Sequence, residues 1–247
     1  MDVPAAARPA LPSPATPMPG RWQSATVEEV REETEHAKTF RLALSEPSPH
    51  LAGQHYIVRL TAPDGYSVSR SYSVASAPEA SHIELTVERL EDGEVSSYLH
   101  DVVEPGDEIE VRGPIGGWFV WRCDSPAVLV GGGSGVVPLM AMLRLARRSG
   151  RPGLARLVVS VRHPADLYYA RELPGPETTV VYTREAPPAG PRPPGRLGAE
   201  DLRPALLSGA TAYVCGSSGF ADHATGLLIQ LGVPGDHIRV ERFGPTG

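Results

Sequence analysis

The sequence predicts an N-terminal antiparallel β-barrel followed by a C-terminal doubly wound α/β domain with a parallel sheet. Three observations predict it. The first half is a series of short strand-like runs separated by turn residues and broken by one helix. Near Asp124 the rhythm changes to alternating strands and helices. Where the first strand of that second half passes into a helix, the chain carries Gly131, Gly132, Gly133 and Gly135.

Taken in order, strands are expected at Gln23–Glu33, Thr39–Leu44, His55–Thr61, Ser67–Ala75, His82–Leu90 and Glu108–Arg112. Turn signals separate them: Glu46-Pro47, Pro63-Asp64-Gly65, Ala77-Pro78 and Pro105-Gly106. Alternation is plain in Ile83-Glu84-Leu85-Thr86-Val87-Glu88. One helix is expected over Val95–Val103. The second half reads as strand Val128–Val130, helix Val137–Arg148, strands Arg156–Val161 and Thr178–Tyr182, helix Ala199–Leu207, strand Ala212–Cys215, helix Phe220–Leu231 and strand His237–Phe243. Pro187–Gly195 is a proline-rich surface loop. Residues 1–20, alanine and proline with almost no charge, read as a disordered tail and not as a signal peptide, because the prolines forbid an apolar helix. The division is therefore 1–20 tail, 21–124 barrel and 125–247 α/β domain.

Composition narrows the function classes. A formal net charge of -6 argues against a general nucleic-acid surface. The two cysteines, Cys123 and Cys215, cannot form a four-cysteine zinc or iron–sulfur site, nor a secreted disulfide scaffold. The histidines show no metal spacing. The uncharged stretch Ser125–Leu143 fits a strand, a loop and a helix better than a membrane span. A soluble cytoplasmic monomer is expected, with no metal, no nucleic acid and no membrane insertion.

Four motifs carry chemistry. In Val130-Gly131-Gly132-Gly133-Ser134-Gly135-Val136-Val137-Pro138, glycines let the backbone approach a ligand and the helix start attracts a pyrophosphate. The run departs from G-x-G-x-x-G at Val136, and a ligand-free turn is the alternative. In Arg70-Ser71-Tyr72-Ser73 an arginine can clamp a phosphate, a tyrosine on the same face can lie against a flat ring, and Ser73 can donate to a ring nitrogen. The alternative is a solvent-facing arginine with a core tyrosine. Gly93-Glu94-Val95-Ser96-Ser97 joins a glycine turn to a helix start whose N–H groups can bind a second phosphate; a helix merely capped by Ser96 or Ser97 is the alternative. In Tyr213-Val214-Cys215-Gly216-Ser217 a parallel strand ends in cysteine and glycine, where such sheets bind ligands; a buried structural cysteine is the alternative.

The four motifs in this order resemble the ferredoxin–NADP reductase superfamily, from Trp22 to Phe243. Arg70 to Ser73 is similar to the family's flavin signature, and Gly53-Gln54 upstream fits it. The resemblance implies Arg70 on a flavin phosphate, Tyr72 beside the isoalloxazine and Ser73 near N5, with Ser71 and Val87 in the same site. Gly93, Val95, Ser96 and Ser97 resemble its pyrophosphate motif, which implies FAD rather than FMN. Gly113-Pro114-Ile115-Gly116 resembles the segment that closes the barrel. Gly132, Gly133, Ser134, Gly135 and Pro138 resemble the nicotinamide-dinucleotide loop, and Cys215-Gly216 the cysteine beside the nicotinamide. Val240-Glu241-Arg242-Phe243 is similar to the terminal segment whose aromatic ring covers the flavin, although Gly244–Gly247 run past it. Thr183-Arg184-Glu185 is similar to the 2′-phosphate site of NADPH-using members, with Arg162 and Arg196 nearby. That favours NADPH, NADH being the alternative.

The resemblance implies hydride transfer from NAD(P)H to FAD, with Ser73, Cys215 and Glu241 as the catalytic set. Electrons would pass to a separate acceptor such as a ferredoxin, a flavodoxin or an oxygenase component. A flavin or quinone reductase with a small-molecule acceptor, a non-catalytic electron-transfer subunit, and a binding module that has lost its flavin are the alternatives.

Overall fold

A computed structural model of the chain describes residues 20–244 except 80, 189 and 191. The tail expected over 1–20 lies outside the described residues but for Gly20. The first unit contains β1 (Trp22–Thr34), β2 (Ala37–Leu44), β3 (His55–Thr61), β4 (Ser67–Ser73), β5 (His82–Glu88), α1 (Glu94–Asp101) and β6 (Glu108–Ile115). These strands form an antiparallel six-stranded sheet in the order β4-β3-β6-β1-β2-β5. Alternate residues of each strand point inward, and Val27, Phe40, Leu42, Tyr56, Val58, Ile83, Leu85 and Val111 fill the interior. The sheet closes on itself at one bridge, Val74 to Leu85. Above that bridge β4 and β5 diverge, and α1 packs over the gap against β3, β4 and β5.

The second unit contains β7 (Ala127–Gly132), α2 (Val136–Arg148), β8 (Ala155–Val161), β9 (Thr178–Tyr182), α3 (Ala199–Leu202), β10 (Thr211–Ser217), α4 (Ser218–Gln230) and β11 (Ile238–Phe243). Its five strands are parallel, in the order β11-β10-β7-β8-β9. The order reverses between β7 and β10, which makes the carboxyl ends of those two strands a topological switch point. Strand residues sort by parity. Val128, Val130, Val158, Ala212 and Val214 face α3 and α4, whereas Leu129, Leu157, Val159, Tyr213 and Cys215 face α2.

The α2 face is also the seam between the units. Ala37, Ala52, Ala75, Phe119 and Trp121 from the barrel side share one core with α2. Tyr169, in the loop before β9, donates its hydroxyl to Thr86 Oγ1 at 2.6 Å and its N–H to Glu33 Oε2 at 3.0 Å. Arg144 of α2 donates to the Ala75 carbonyl and to Glu84, each at 2.9 Å, while pairing with Glu172 and lying over the Tyr169 ring.

Several boundaries differ from the sequence expectation for identifiable reasons. The third helix ends at Leu202 and tightens into a 3-10 turn over Arg203–Ala205, because Pro204 has no N–H to extend it to Leu207. The fourth starts at Ser218, not Phe220, since Ser217 caps it by accepting from the Phe220 N–H. Strand β6 runs on to Ile115, held by His55 across the sheet. Ser96 and Ser97 do not cap α1; the cap is Gly93 and both serines lie inside the helix. No helix among the described residues is long and apolar enough to cross a membrane. No group of three or more potential metal ligands occurs among them either.

Candidate functional site: a seam in the barrel and a switch point in the sheet

Strand β4 pairs with β3 along its whole length but meets β5 only at the Val74 bridge. It therefore presents a free edge beside α1. Arg70 and Tyr72 lie on one face of β4, and the Arg70 charge acts on the Tyr72 hydroxyl. Burial pushes that hydroxyl up to about 12, so it stays a neutral phenol with its ring half covered. The Arg70 guanidinium donates to the Ser69 carbonyl at 2.9 Å and has no carboxylate partner among the described residues. A cation on an open edge, an aromatic two residues on and a helix start alongside form a donor set that fits a flavin with its phosphates.

Ser71 is exposed and Ser73 is buried at the end of β4. At the helix start, Ser96 Oγ donates to the Gly93 carbonyl at 3.2 Å and accepts the Leu90 N–H at 3.2 Å, and Ser97 Oγ donates to the Leu90 carbonyl at 3.3 Å. Both hydroxyls thus fold the 90–93 turn, and what α1 leaves for an anion is its first-turn N–H groups. Val95 and Val87 are buried side chains of the barrel core; the Val87 carbonyl already accepts from His100 Nε2 at 2.9 Å.

Gly131 to Gly135 connect β7 to α2 at the switch point. Gly133 has φ +54 and nothing within 4 Å of where a Cβ would stand, so the loop arches into open space there. Gly135 is the opposite case: a methyl on it would overlap the Cys215 carbonyl and the Gly216 N. The ends of β7 and β10 touch because that side chain is missing. Gly132 and Gly216 both lie on the ring of Phe220, which a methyl on either would approach to 2.6 and 2.7 Å. Phe220 was not singled out by the sequence; its place three residues after the Ser217 cap is the signal that could have found it. Ser134 is half-buried, and Pro138 is buried in the first turn of α2.

Cys215 and Glu241 are register partners on β10 and β11. Burial, and then the neighbouring Glu241, hold the Cys215 thiol well above its ordinary value, so it is a neutral thiol. Burial raises the Glu241 carboxyl to about 7, and its Oε2 is buried without a hydrogen-bond partner. An orphaned buried carboxyl oxygen at the carboxyl edge of a parallel sheet fits a polar group of a bound dinucleotide. Phe243 follows on β11, half-buried against the core shared by both units.

Beyond β8 and β9 the pairing continues through the loops: Thr183 N–H donates to Val161, and Arg184 N–H to the Arg162 carbonyl at 3.0 Å. Gly195 N–H donates to Tyr182 at 3.0 Å, which brings the Arg196 segment to the same edge. Arg162, Arg184 and Arg196 are all exposed, and none is in an ion pair among the described residues. Arg192 between them is different: Asp201 holds it at 2.9 Å.

Comparison with known proteins identifies both units of the fold. A model of the oxidoreductase FAD-binding domain matches residues 24–120, and one of the oxidoreductase NAD-binding domain matches residues 129–225. The ferredoxin–NAD(P)(+) reductase component of the naphthalene 1,2-dioxygenase/salicylate 5-hydroxylase systems of Ralstonia sp is 29% identical over 93% of this chain, which spans 71% of that protein. A flavohemoprotein of Chromobacterium violaceum is 33% identical over 90% of this chain, which spans 61% of that relative. Among solved structures, the FAD/NAD-binding domain of nitric oxide dioxygenase from Vibrio cholerae superposes with a TM-score of 0.80 at 24% identity, covering 90% of this chain and 99% of that one. With both of its units matched in sequence and in fold, the chain belongs to the ferredoxin–NADP(H) reductase superfamily, as an NAD(P)H-dependent flavoprotein oxidoreductase with an FAD-binding barrel and an NAD(P)-binding α/β domain.

Proposed function

We propose that this chain takes hydride from NADPH onto FAD seated along the β4–β5 seam and passes the electrons to a separate redox protein, a ferredoxin or an oxygenase component. FAD bound there supplies the chemistry: it accepts a hydride and can release its electrons singly. The single observation that carries the reading is the Glu241–Cys215 pair at the sheet edge, an unpartnered buried carboxyl beside a neutral thiol, in a chain whose barrel offers a cationic open edge.

The chain's own residues position and exclude. Arg70 holds a phosphate and Tyr72 packs on the ring system. Ser73 offers a hydroxyl at the strand end. The N–H groups that open α2 hold the second pyrophosphate, with Gly135 keeping Cys215 close. Cys215 and Glu241 would frame the nicotinamide, and Phe243 at the end of β11 would hold the flavin. Arg162 and Arg184 favour a 2′-phosphate through charge and bidentate geometry. A protein acceptor is supported by the reductase component from Ralstonia sp and by the cysteine count, since two cysteines cannot ligate a cluster within these residues.

The test is an anaerobic titration of the purified yellow protein with NADPH and separately with NADH, followed by turnover with ferredoxin against a dye. Bleaching by NADPH at concentrations where NADH is slow, and faster turnover with ferredoxin, is the expected result. A yellow protein that neither nucleotide bleaches overturns the hydride step. Turnover with quinones and none with ferredoxin transfers the acceptor to the small-molecule class.

A further inference from the structure

One titratable group beside the seam has no part in the reading above. His55 opens β3 and lies directly across from Ser73 in the antiparallel register, so the two side chains share a face with Cβ atoms about 5 Å apart. On its other side it pairs with Ile115. Its Nδ1 packs along Gly116, at 3.6 Å from where a Cβ of that residue would stand. The Gly116 turn is fixed by Gln54, whose Nε2 donates to the Gly116 carbonyl at 2.7 Å. The imidazole is half-buried, and neither ring nitrogen has a hydrogen-bond partner among the described residues.

We propose, resting on the flavin reading above, that His55 is the redox-linked proton-binding group of the flavin cleft: set beside Ser73, it takes a proton from solvent when the cleft gains electrons and returns it when they leave. No bond to the cofactor forms, and the electrons come from NAD(P)H and go to the acceptor. Three observations support this. The side chain faces the strand end that carries Ser73 and not the barrel interior, which Tyr56 fills. Its nitrogens are free to exchange a proton. And burial alone holds it below the ordinary histidine value, so it is neutral at pH 7 and has room to rise.

Few charged groups oppose it. Its cross-strand neighbours on β4 and β6, Ser73 and Ile115, are uncharged. On its own strand the next charge on that face is Arg59, bonded to Glu110 at 2.7 and 2.9 Å. On β6 it is Arg112, which lies over Trp22. The 116–118 turn carries none. The charged group of the other unit that is bonded to that turn is Arg239, which donates to the Trp118 carbonyl at 3.1 Å and lies over the Trp118 ring. A negative charge gained within about 4–6 Å raises an imidazole by about one unit or more.

His55 is thus a positioning residue whose signature is a linkage and not a rate alone. The experiment labels the histidine rings of the FAD-loaded protein and follows their NMR titration, oxidised and then reduced with dithionite, with His55→Gln to identify the signal. In parallel, the flavin midpoint potential is measured from pH 5 to 8.5 in both proteins. The expected result is a rise of about one pKa unit for His55 on reduction, and a change of slope in potential against pH that His55→Gln abolishes. An identical His55 titration in both redox states, with superimposable potential curves, overturns the inference while leaving the flavin reading intact. A chain that binds no FAD overturns both. If His55→Gln fails to hold FAD, the titration of the wild-type histidines in the two states still decides.

Discussion

Glu241 is a single carboxyl whose environment makes a statement about the whole protein. Burial raises it from 4.5 in the unfolded chain to about 7 in the folded one. Between those values the folded state holds a proton that the unfolded state has lost. This group's contribution to stability is therefore fully present below about pH 4.5 and is lost as pH rises through 7, by about 3 kcal/mol. Replacing Glu241 with Gln should flatten that slope and raise the urea midpoint at pH 8 relative to the parent, while slowing reduction by NADPH. Urea unfolding at pH 5 and pH 8 checks it. Gly135→Ala belongs to the same scale. Its methyl would have to displace the Cys215 carbonyl, at a cost of about 1–3 kcal/mol. Thermal unfolding, together with a higher KM for NADPH at unchanged flavin content, is the expected result. The glycines of this loop were legible in the sequence, but the reason for Gly135 was not. Contact between the ends of β7 and β10 is set by a sheet order that places residue 135 beside 215, and no local pattern encodes it.

At the scale of elements, strands β3 and β9 were legible to the residue, because their alternation or β-branched run stops at clear turn signals. What local pattern missed was capping and closure. Ser96 looked like a cap but turns back onto Gly93, since the glycine can take the extended cap conformation and frees the serine for the turn. Closure of the barrel at a single Val74–Leu85 bridge joins two strands that follow one another in the chain but stand at opposite ends of the sheet order, a placement no local pattern encodes. The loops after β8 and β9 gather Arg162 and Arg184 by backbone bonds, which turns two scattered arginines into one edge. Changing both to Ala should raise KM for NADPH about tenfold or more and leave KM for NADH within about twofold. Steady-state kinetics with the two donors reads this directly. An equal loss with both donors would assign the arginines to general stability.

The molecule as a whole is joined along α2. Arg144 reaches Ala75, Glu84, Glu172 and the Tyr169 ring, so one side chain ties the barrel to the loop before β9. Glu84 and Glu172 keep its guanidinium charged despite burial. Arg144→Met removes the cation and leaves Glu84 without it, with an expected loss of about 3 kcal/mol in unfolding free energy. Denaturant unfolding measures the loss, and limited proteolysis of the 117–126 connection should accelerate. Fold class was legible at this scale because strand rhythm and the glycine run are local. The seam was not, because Ala37, Ala52 and Ala75 look like ordinary small residues until α2 lies on them.

That shared core sets terms for anyone who would recombine this protein. Phe119 and Trp121 belong by sequence to the connection and by packing to both halves. Splicing in a foreign second half at residue 124, to exchange one nucleotide preference for another, would pair the native barrel face with a helix shaped for a different neighbour. A working hybrid needs its crossover moved, so that Ala37, Ala52, Ala75, Phe119 and Trp121 travel with the α2 they were selected against. Otherwise each half should emerge from the ribosome with a greasy flank and no mate.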